Sequence, residues 1–242
     1  MDERSLAPPR LWTVFAAYLV AFVAIVALSL VAAGVLRSMY PDVPDPALFD
    51  RPLEPVLLRL VPGWETGRAL AVMVVGMLAL GQSLDSLTML AGLGDKGTLA
   101  AIRGALADAV GPELFLAVFV IGVLAGSAEE LFFRGYMQTR LGQRMPPVAA
   151  VLITATGFGL LHLEWIHALL AFVLGLYLGW ITEVAGSALP AIACHVINNA
   201  LFTMLAALVG TVGGAGPNAA LLVTSGCVFV GSVVWLRRCR TW

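Results

Sequence analysis

Two adjacent carboxylates and an arginine are the residues of this chain most suited to chemistry. Glu129, Glu130 and Arg134 stand in the run G-S-A-E-E-L-F-F-R at 126–134, inside an apolar stretch that starts near Leu114. A charged side chain at bilayer depth costs several kcal/mol unless it is paired or faces a wet cavity. Glu130 and Arg134 share one helix face and can pair. Glu129 points about 100° away on a helix, which leaves it free for chemistry.

Two histidines and an asparagine also fall within apolar runs. His162 follows Phe158 by one helical turn, and Asn199 follows His195 by one turn, so each pair shares a helix face. Taken singly, an intramembrane His or Asn is often a packing residue that bonds a neighbouring helix. Taken with Glu129, these side chains come from three predicted helices and can converge on one cavity.

Such a set can hydrolyse an amide with water. A carboxylate and an imidazole can share the deprotonation of a water molecule, while a second imidazole and an amide can donate to the developing oxyanion. Glu129, His162 and His195 would also form a workable Zn²⁺ ligand set with an open position for water. The residues alone leave the metal-free and the zinc versions both open.

Other protease signatures fit poorly. In His162-L-E-W-I-His167 the histidines are five apart and the Glu is misplaced for H-E-x-x-H. Ser127 lies in Gly-Ser-Ala, which is not a nucleophile elbow. Cys194 precedes His195 directly, so their side chains diverge on a helix. Serine and cysteine chemistry are therefore disfavoured.

The composition indicates an integral membrane protein. The chain has 242 residues, 60% hydrophobic and 12% charged, whereas soluble domains are about 45–50% apolar and about 25% charged. The net charge of −1 gives no basic surface for nucleic acid. We expect the partners to be the lipid bilayer and a membrane-associated peptide or protein, and the oligomeric state is left open.

The hydrophobic pattern predicts an all-α polytopic protein of about seven transmembrane helices. The predicted spans run roughly from Leu11 to Leu36, Ala69 to Leu90, Glu113 to Met137, Pro147 to Leu163, Ala168 to Ile181, Pro190 to Val209 and Ala219 to Leu236. Three regions follow from this pattern. They are an N-terminal region at 1–112 with two spans and a polar loop at 37–68, a core at 113–209, and a C-terminal span with a basic tail at 210–242.

Two glycine pairs predict close helix packing. Gly122-x-x-x-Gly126 and Gly175-x-x-x-Gly179 each place two glycines on one helix face. Small residues at this spacing let membrane helices approach closely. We therefore expect these pairs to contribute to packing and not to chemistry.

The order of the polar motifs resembles a known family. The order E-E-x-x-x-R, then F-x-x-x-H, then H-x-x-x-N is similar to that of the CPBP family, the CAAX proteases and bacteriocin-processing enzymes also called ABI or CAAX-like proteases. Glu129 to Arg134 match the first motif, Phe158 to His162 the second, and His195 to Asn199 the third. The resemblance covers about residues 113–205.

The resemblance implies an intramembrane endopeptidase with a conical or bundled catalytic core among its transmembrane helices, and a role for each matched residue. Glu129 and His162 would activate water, and His195 and Asn199 would stabilise the oxyanion. The supporting residues would be Glu130, Arg134 and Phe158, with Glu130 able to assist Glu129. Both a metal-dependent mechanism and a metal-free glutamate mechanism are described for the family. We favour the glutamate mechanism. The alternative is a Zn²⁺ ion bound by Glu129, His162 and His195.

The same resemblance suggests a multi-pass protein of the bacterial cytoplasmic (inner) membrane that need not act on prenylated substrates. Two other functions fit the composition. The chain could be a non-proteolytic immunity or regulatory scaffold with the same fold. It could also be a small proton-coupled transporter with the carboxylates as a proton relay, although no inverted repeat supports this.

Overall fold

The computed structural model describes Ser38, residues 58–107 and residues 109–238. The regular secondary structure of these residues is all helical. In chain order the helices after Ser38 are α1 (Gly67–Leu90), α2 (Gly97–Leu106), α3 (Gly111–Gly142), α4 (Pro147–Leu161), α5 (Trp165–Ala185), α6 (Leu189–Leu208) and α7 (Ala215–Arg238). The predicted first span at 11–36, the loop up to residue 57 and the last four residues lie outside the described part.

Five of these helices are long and apolar enough to cross a membrane, namely α1, α3, α5, α6 and α7. Helix α4 has 15 residues, which corresponds to about 22 Å and is shorter than the roughly 30 Å hydrocarbon core. The predicted all-α polytopic fold is confirmed, and the chain is an integral multi-pass membrane protein.

The boundary between the fourth and fifth predicted spans differs from the prediction. Helix α4 ends at Leu161, so His162 occupies its C-cap and is not inside a span that continues to Leu163. Leu163 has φ 60°, a left-handed conformation that cannot continue a helix. The next helix begins at Trp165 because the Glu164 side chain accepts from the backbone N–H groups of its first turn. His167 is therefore helical, although the predicted fifth span starts only at Ala168.

Helix α3 is irregular on both sides of the two glutamates. The segments Val118–Ala125 and Leu131–Gln138 are π-helical, and the regular α-helical turn Gly126–Glu130 lies between them. Wide turns of this kind interrupt the usual bonding ladder and are frequently found at functional sites. The helix that carries the charged residues is therefore less regular than its neighbours.

The first glycine pair lets α3 lie against α6. A Cβ built on Gly122 would stand 3.0 Å from the Ala200 Cβ and 3.1 Å from the Ala200 backbone N. A Cβ on Gly126 would meet the Val196 backbone N at 3.4 Å. The predicted packing role of this pair is confirmed, and it brings the glutamates of α3 to the histidine of α6.

The second glycine pair lies on α5 and also has the predicted packing role. A Cβ on Gly175 would stand 3.1 Å from the Phe158 Cδ1, and a Cβ on Gly179 would stand 2.9 Å from the Val151 Cγ1. Helix α4 therefore packs directly on the backbone of α5. This contact positions the C-terminal end of α4, where His162 is found.

Replacing Gly122 by Val should destabilise the protein by roughly 1–3 kcal/mol, because the new side chain meets α6 backbone atoms that cannot move aside. Gly226→Val on α7 is the matched control. It makes the same residue change in a helix but has open space around the added Cβ. Thermal unfolding in detergent would measure both variants, and equal melting temperatures would contradict the packing role.

Candidate active site

Glu130 is the fully buried member of the carboxylate pair and binds two cationic or polar partners. Its Oε1 accepts from Nη1 of Arg134 at 2.7 Å and lies 2.8 Å from Nδ1 of His195. Glu130 and Arg134 are both 0% exposed. A buried carboxylate without a cation would carry a large desolvation cost, so this pair explains how Glu130 is accommodated. The predicted pairing of Glu130 with Arg134 is present.

Arg134 also connects α3 to α4 and α5. Its Nη2 donates to the carbonyl of Gly175 at 3.1 Å. Its guanidinium carbon lies 4.6 Å from the centre of the Phe158 ring, within the range of a cation–π contact. Arg134 therefore compensates one charge and at the same time joins three helices around Glu130.

Glu129 is the accessible member of the pair. Its side chain is 19% exposed, and its Oε2 lies 3.7 Å from Nε2 of His195. This separation is an ion-pair distance and is longer than a hydrogen bond. His195 consequently stands between the two carboxylates, with Nδ1 toward Glu130 and Nε2 toward Glu129. The helical spacing alone does not predict this bridging position.

The bonds around Glu130 define the proton arrangement on His195. An ionised Glu130 can only accept, so Nδ1 of His195 donates to it. The Nε2 atom is then a lone-pair acceptor in the neutral ring and a donor in the imidazolium. The hydrogen-bond network is the basis of this assignment.

His162 lies at the end of α4 with one nitrogen occupied. Its Nδ1 lies 2.8 Å from the carbonyl oxygen of Phe158, and because a carbonyl only accepts, Nδ1 is the donor. In the neutral ring Nε2 therefore carries a lone pair. The Phe158 ring packs edge-on against His162 at 5.1 Å and against His195 at 5.7 Å. Phe158 thus contacts both imidazoles.

Asn199 lies one turn beyond His195 on α6 and faces α3. Its Nδ2 is 3.4 Å from the Ile121 carbonyl, and its Oδ1 accepts from Asn198 at 3.3 Å. The amide is therefore oriented by α3 and by its sequence neighbour. It stands one turn along α6 from the carboxylate and imidazole cluster.

A second histidine lies beside His162. The rings of His162 and His167 have centres 4.2 Å apart, because α5 starts early enough to include His167. Glu164 does not act as a further base here, since it accepts from the backbone N–H groups of Ile166 and His167. The Ile166 N–H is the main reason that the pKa of Glu164 lies below its usual value. The close contact of His167 with His162 was missed because the helix start depends on this cap.

The zinc alternative requires Glu129, His162 and His195 to converge on one metal ion. Within residues 58–107 and 109–238, no three His, Cys, Asp or Glu side chains gather as a metal-binding group. Nδ1 of His195 faces a carboxylate and Nδ1 of His162 faces a carbonyl, which leaves Nε2 of each ring as the atom that could bind a metal. Glu129 and His195 approach to 3.7 Å, but Glu129, His162 and His195 do not gather as a three-ligand site within these residues. The zinc site stays a prediction.

A family comparison covers the segment that carries this cluster. Residues 111–201 match the family described as Type II CAAX prenyl endopeptidase Rce1-like. The matched region runs from the first residue of α3 into α6 and includes all four predicted catalytic residues. No curated protein and no solved structure matches the chain. The resemblance drawn from the three motifs is confirmed.

Proposed function

We propose that this chain hydrolyses peptide bonds of a membrane-associated protein or peptide, because residues 111–201 match a family of CAAX-type intramembrane endopeptidases. Glu129 and His162 activate the water. His195 and Asn199 stabilise the oxyanion, and Glu130, Arg134 and Phe158 hold these groups in place. The metal-free glutamate mechanism needs no cofactor.

The observation that carries this proposal is the different environment of the two glutamates. Both acceptor contacts of Glu130 Oε1 are to Arg134 and His195, and the residue is 0% exposed. Glu129 keeps a side chain that is 19% exposed and lies beside the same imidazole. A general base must reach water and be free to take a proton. Glu129 meets this requirement and Glu130 does not.

The reaction then proceeds in two balanced steps. Glu129 takes one proton of a water while His162 Nε2 accepts the hydrogen bond of the other, and the water oxygen attacks the scissile carbonyl carbon. A C–O bond forms and the carbonyl oxygen becomes an oxyanion. On collapse the C–N bond breaks, and the proton held by Glu129 passes to the departing nitrogen. One water is consumed for each peptide bond.

His195 supplies the positive charge that the oxyanion needs. With Nδ1 donating to Glu130, its Nε2 donates outward in the imidazolium form. Two glutamates, one arginine and one imidazolium then sum to zero charge, which suits a buried cluster. The Asn199 amide, one turn along the same helix face, supplies a second donor. A single donor of this kind contributes roughly 10²–10³-fold to turnover.

The setting limits the substrate to chains that reach the bilayer. The described spans expose large apolar side chains such as Phe115, Leu169 and Val223, as expected for surfaces that face lipid. The name of the matched family refers to prenylated CAAX peptides, so a lipidated C-terminal peptide is a suitable first probe. We place the protein in the bacterial cytoplasmic membrane.

The purified protein in liposomes, given a farnesylated CAAX-type peptide, should release the C-terminal tripeptide, as measured by mass spectrometry.

A parallel comparison of membrane peptides from cells that carry wild type or Glu129→Ala should show products only with wild type. A chelator arm separates the metal from the metal-free form, because only the zinc form loses activity. Absence of products in both assays would contradict the proposed function.

A further inference from the structure

Helix α3 contacts α5 through two side chains one turn apart. Arg134 Nη2 donates to the Gly175 carbonyl at 3.1 Å, and Gln138 Nε2 donates to the Gly179 carbonyl at 3.0 Å. The donors are four apart on α3 and the acceptors are four apart on α5. Two parallel contacts of this kind fix both the register and the angle between two helices, whereas one contact leaves a pivot.

Gln138 occupies this position at a cost. It is 0% exposed, and its Oε1 has no hydrogen-bond partner. A buried polar atom left without a partner has lost its bond to water and gained none in exchange. An apolar side chain of similar size would avoid this cost, so packing alone does not account for a glutamine here. The amide is placed to donate to specific acceptors.

A second acceptor holds the same amide. Gln138 Nε2 also donates to Oε1 of Glu183 at 2.8 Å, and this atom accepts from Nη1 of Arg59 at 2.7 Å. The backbone of Arg59 is fixed in turn, since its carbonyl accepts from the N–H of Ala188 at 2.9 Å. Gln138 is therefore tied to the α5–α6 turn and to the segment that precedes α1.

The irregular form of α3 makes the second contact important. Gln138 is the last residue of the π-helical segment Leu131–Gln138, which separates it from Glu130. A wide-turn segment has a less regular bonding ladder than an α-helix. The position of the two glutamates therefore depends on how this segment is held. Arg134 holds its middle and Gln138 holds its end.

We propose that Gln138 is a positioning residue of the active site, which fixes the register of α3 on α5 and so holds Glu129 and Glu130 against His195. Glu183 and Arg59 keep the Gln138 amide in place. The inference rests on the proposed peptidase function. Gln138 itself touches neither substrate nor the reacting atoms.

The test compares Gln138→Leu with Tyr177→Phe, using the farnesylated peptide in liposomes. Tyr177 also makes a buried interhelical bond, from its hydroxyl to the Met73 carbonyl at 2.8 Å, but toward α1. We expect Gln138→Leu to lower kcat about tenfold with KM unchanged, since a displacement of about 1 Å can cost up to about 10²-fold. Tyr177→Phe should keep the wild-type kcat per folded molecule.

A second pair of variants decides the matter if Gln138→Leu does not fold. Glu183→Ala removes one acceptor of the amide and should lower kcat several-fold, while Glu183→Gln keeps an acceptor oxygen and should restore it. A wild-type kcat in Gln138→Leu or in Glu183→Ala would overturn the inference, as would an equal loss in Tyr177→Phe. A wild type with no peptidase activity would instead refute the proposed function.

Discussion

Replacing Glu129 by Gln will lower kcat by about 10²–10⁴-fold, the usual contribution of a general base, and leave KM and the folded structure unchanged. The amide cannot take the proton of water. It can still occupy the same partly exposed position beside His195, because the Glu129 side chain is 19% exposed and has no hydrogen bond to lose at 3.7 Å. Steady-state kinetics on the farnesylated peptide would measure the loss.

Glu113→Gln is the matched control for this variant. Glu113 lies in the first turn of the same helix, on its exposed side, and its replacement should leave kcat unchanged. A Glu129→Gln protein that keeps a kcat within twofold of wild type would show that Glu129 is not the base. Glu130 would then be the remaining carboxylate to test.

Replacing Arg134 by Met should destabilise the protein by about 3–5 kcal/mol, the cost of leaving one partner of a buried ion pair alone. Glu130 would remain fully buried with only His195 as a partner, and α3 would lose its bond to the Gly175 carbonyl. Chemical or thermal unfolding in detergent would measure the change, and the yield of folded protein should fall with it.

Two further variants test the reason for this loss. Arg103 forms a similar pair with Asp85, but the side chains are 23% and 24% exposed, so Arg103→Met should cost less than about 1 kcal/mol. Adding Glu130→Gln to Arg134→Met should recover part of the stability, because the uncompensated charge is gone. Equal losses for Arg134→Met and Arg103→Met would contradict the role of burial.

The helices and the central ion pair could be predicted from the sequence because they depend on local patterns. Long apolar runs predict spans, and an i, i+4 spacing predicts the pairing of Glu130 with Arg134. The three motifs predicted the family that residues 111–201 match. The two glycine pairs also indicated which helix faces approach closely.

The bridging role of His195 could not be predicted, because it depends on the packing between two helices. Spacing places His195 and Asn199 on one face of α6, but it does not say which carboxylate each nitrogen meets. The structure places Nδ1 of His195 at Glu130 and Nε2 near Glu129. The π-helical turns on both sides of Gly126–Glu130 also change which α3 residues face α6.

The helix ends and the second contact with α5 were missed for similar reasons. A left-handed Leu163 and the Glu164 cap determine where α4 ends and α5 begins, and neither gives a clear signal in an apolar stretch. Gln138 falls one turn after Arg134, which is a weak sign of a shared face. Its acceptors lie 41 and 45 residues away, so only the tertiary structure identifies them.

Cleavage in ¹⁸O-labelled water is the most direct test of the central claim that Glu129 activates water for peptide hydrolysis. Wild type and Glu129→Gln would be given the same farnesylated peptide in liposomes, and the new C-terminus would be analysed by mass spectrometry. With wild type we predict one ¹⁸O atom in the new carboxylate. With Glu129→Gln we predict that the product forms at least a hundredfold more slowly, by the general-base estimate of about 10²–10⁴. Labelled product at the wild-type rate from Glu129→Gln would contradict the account.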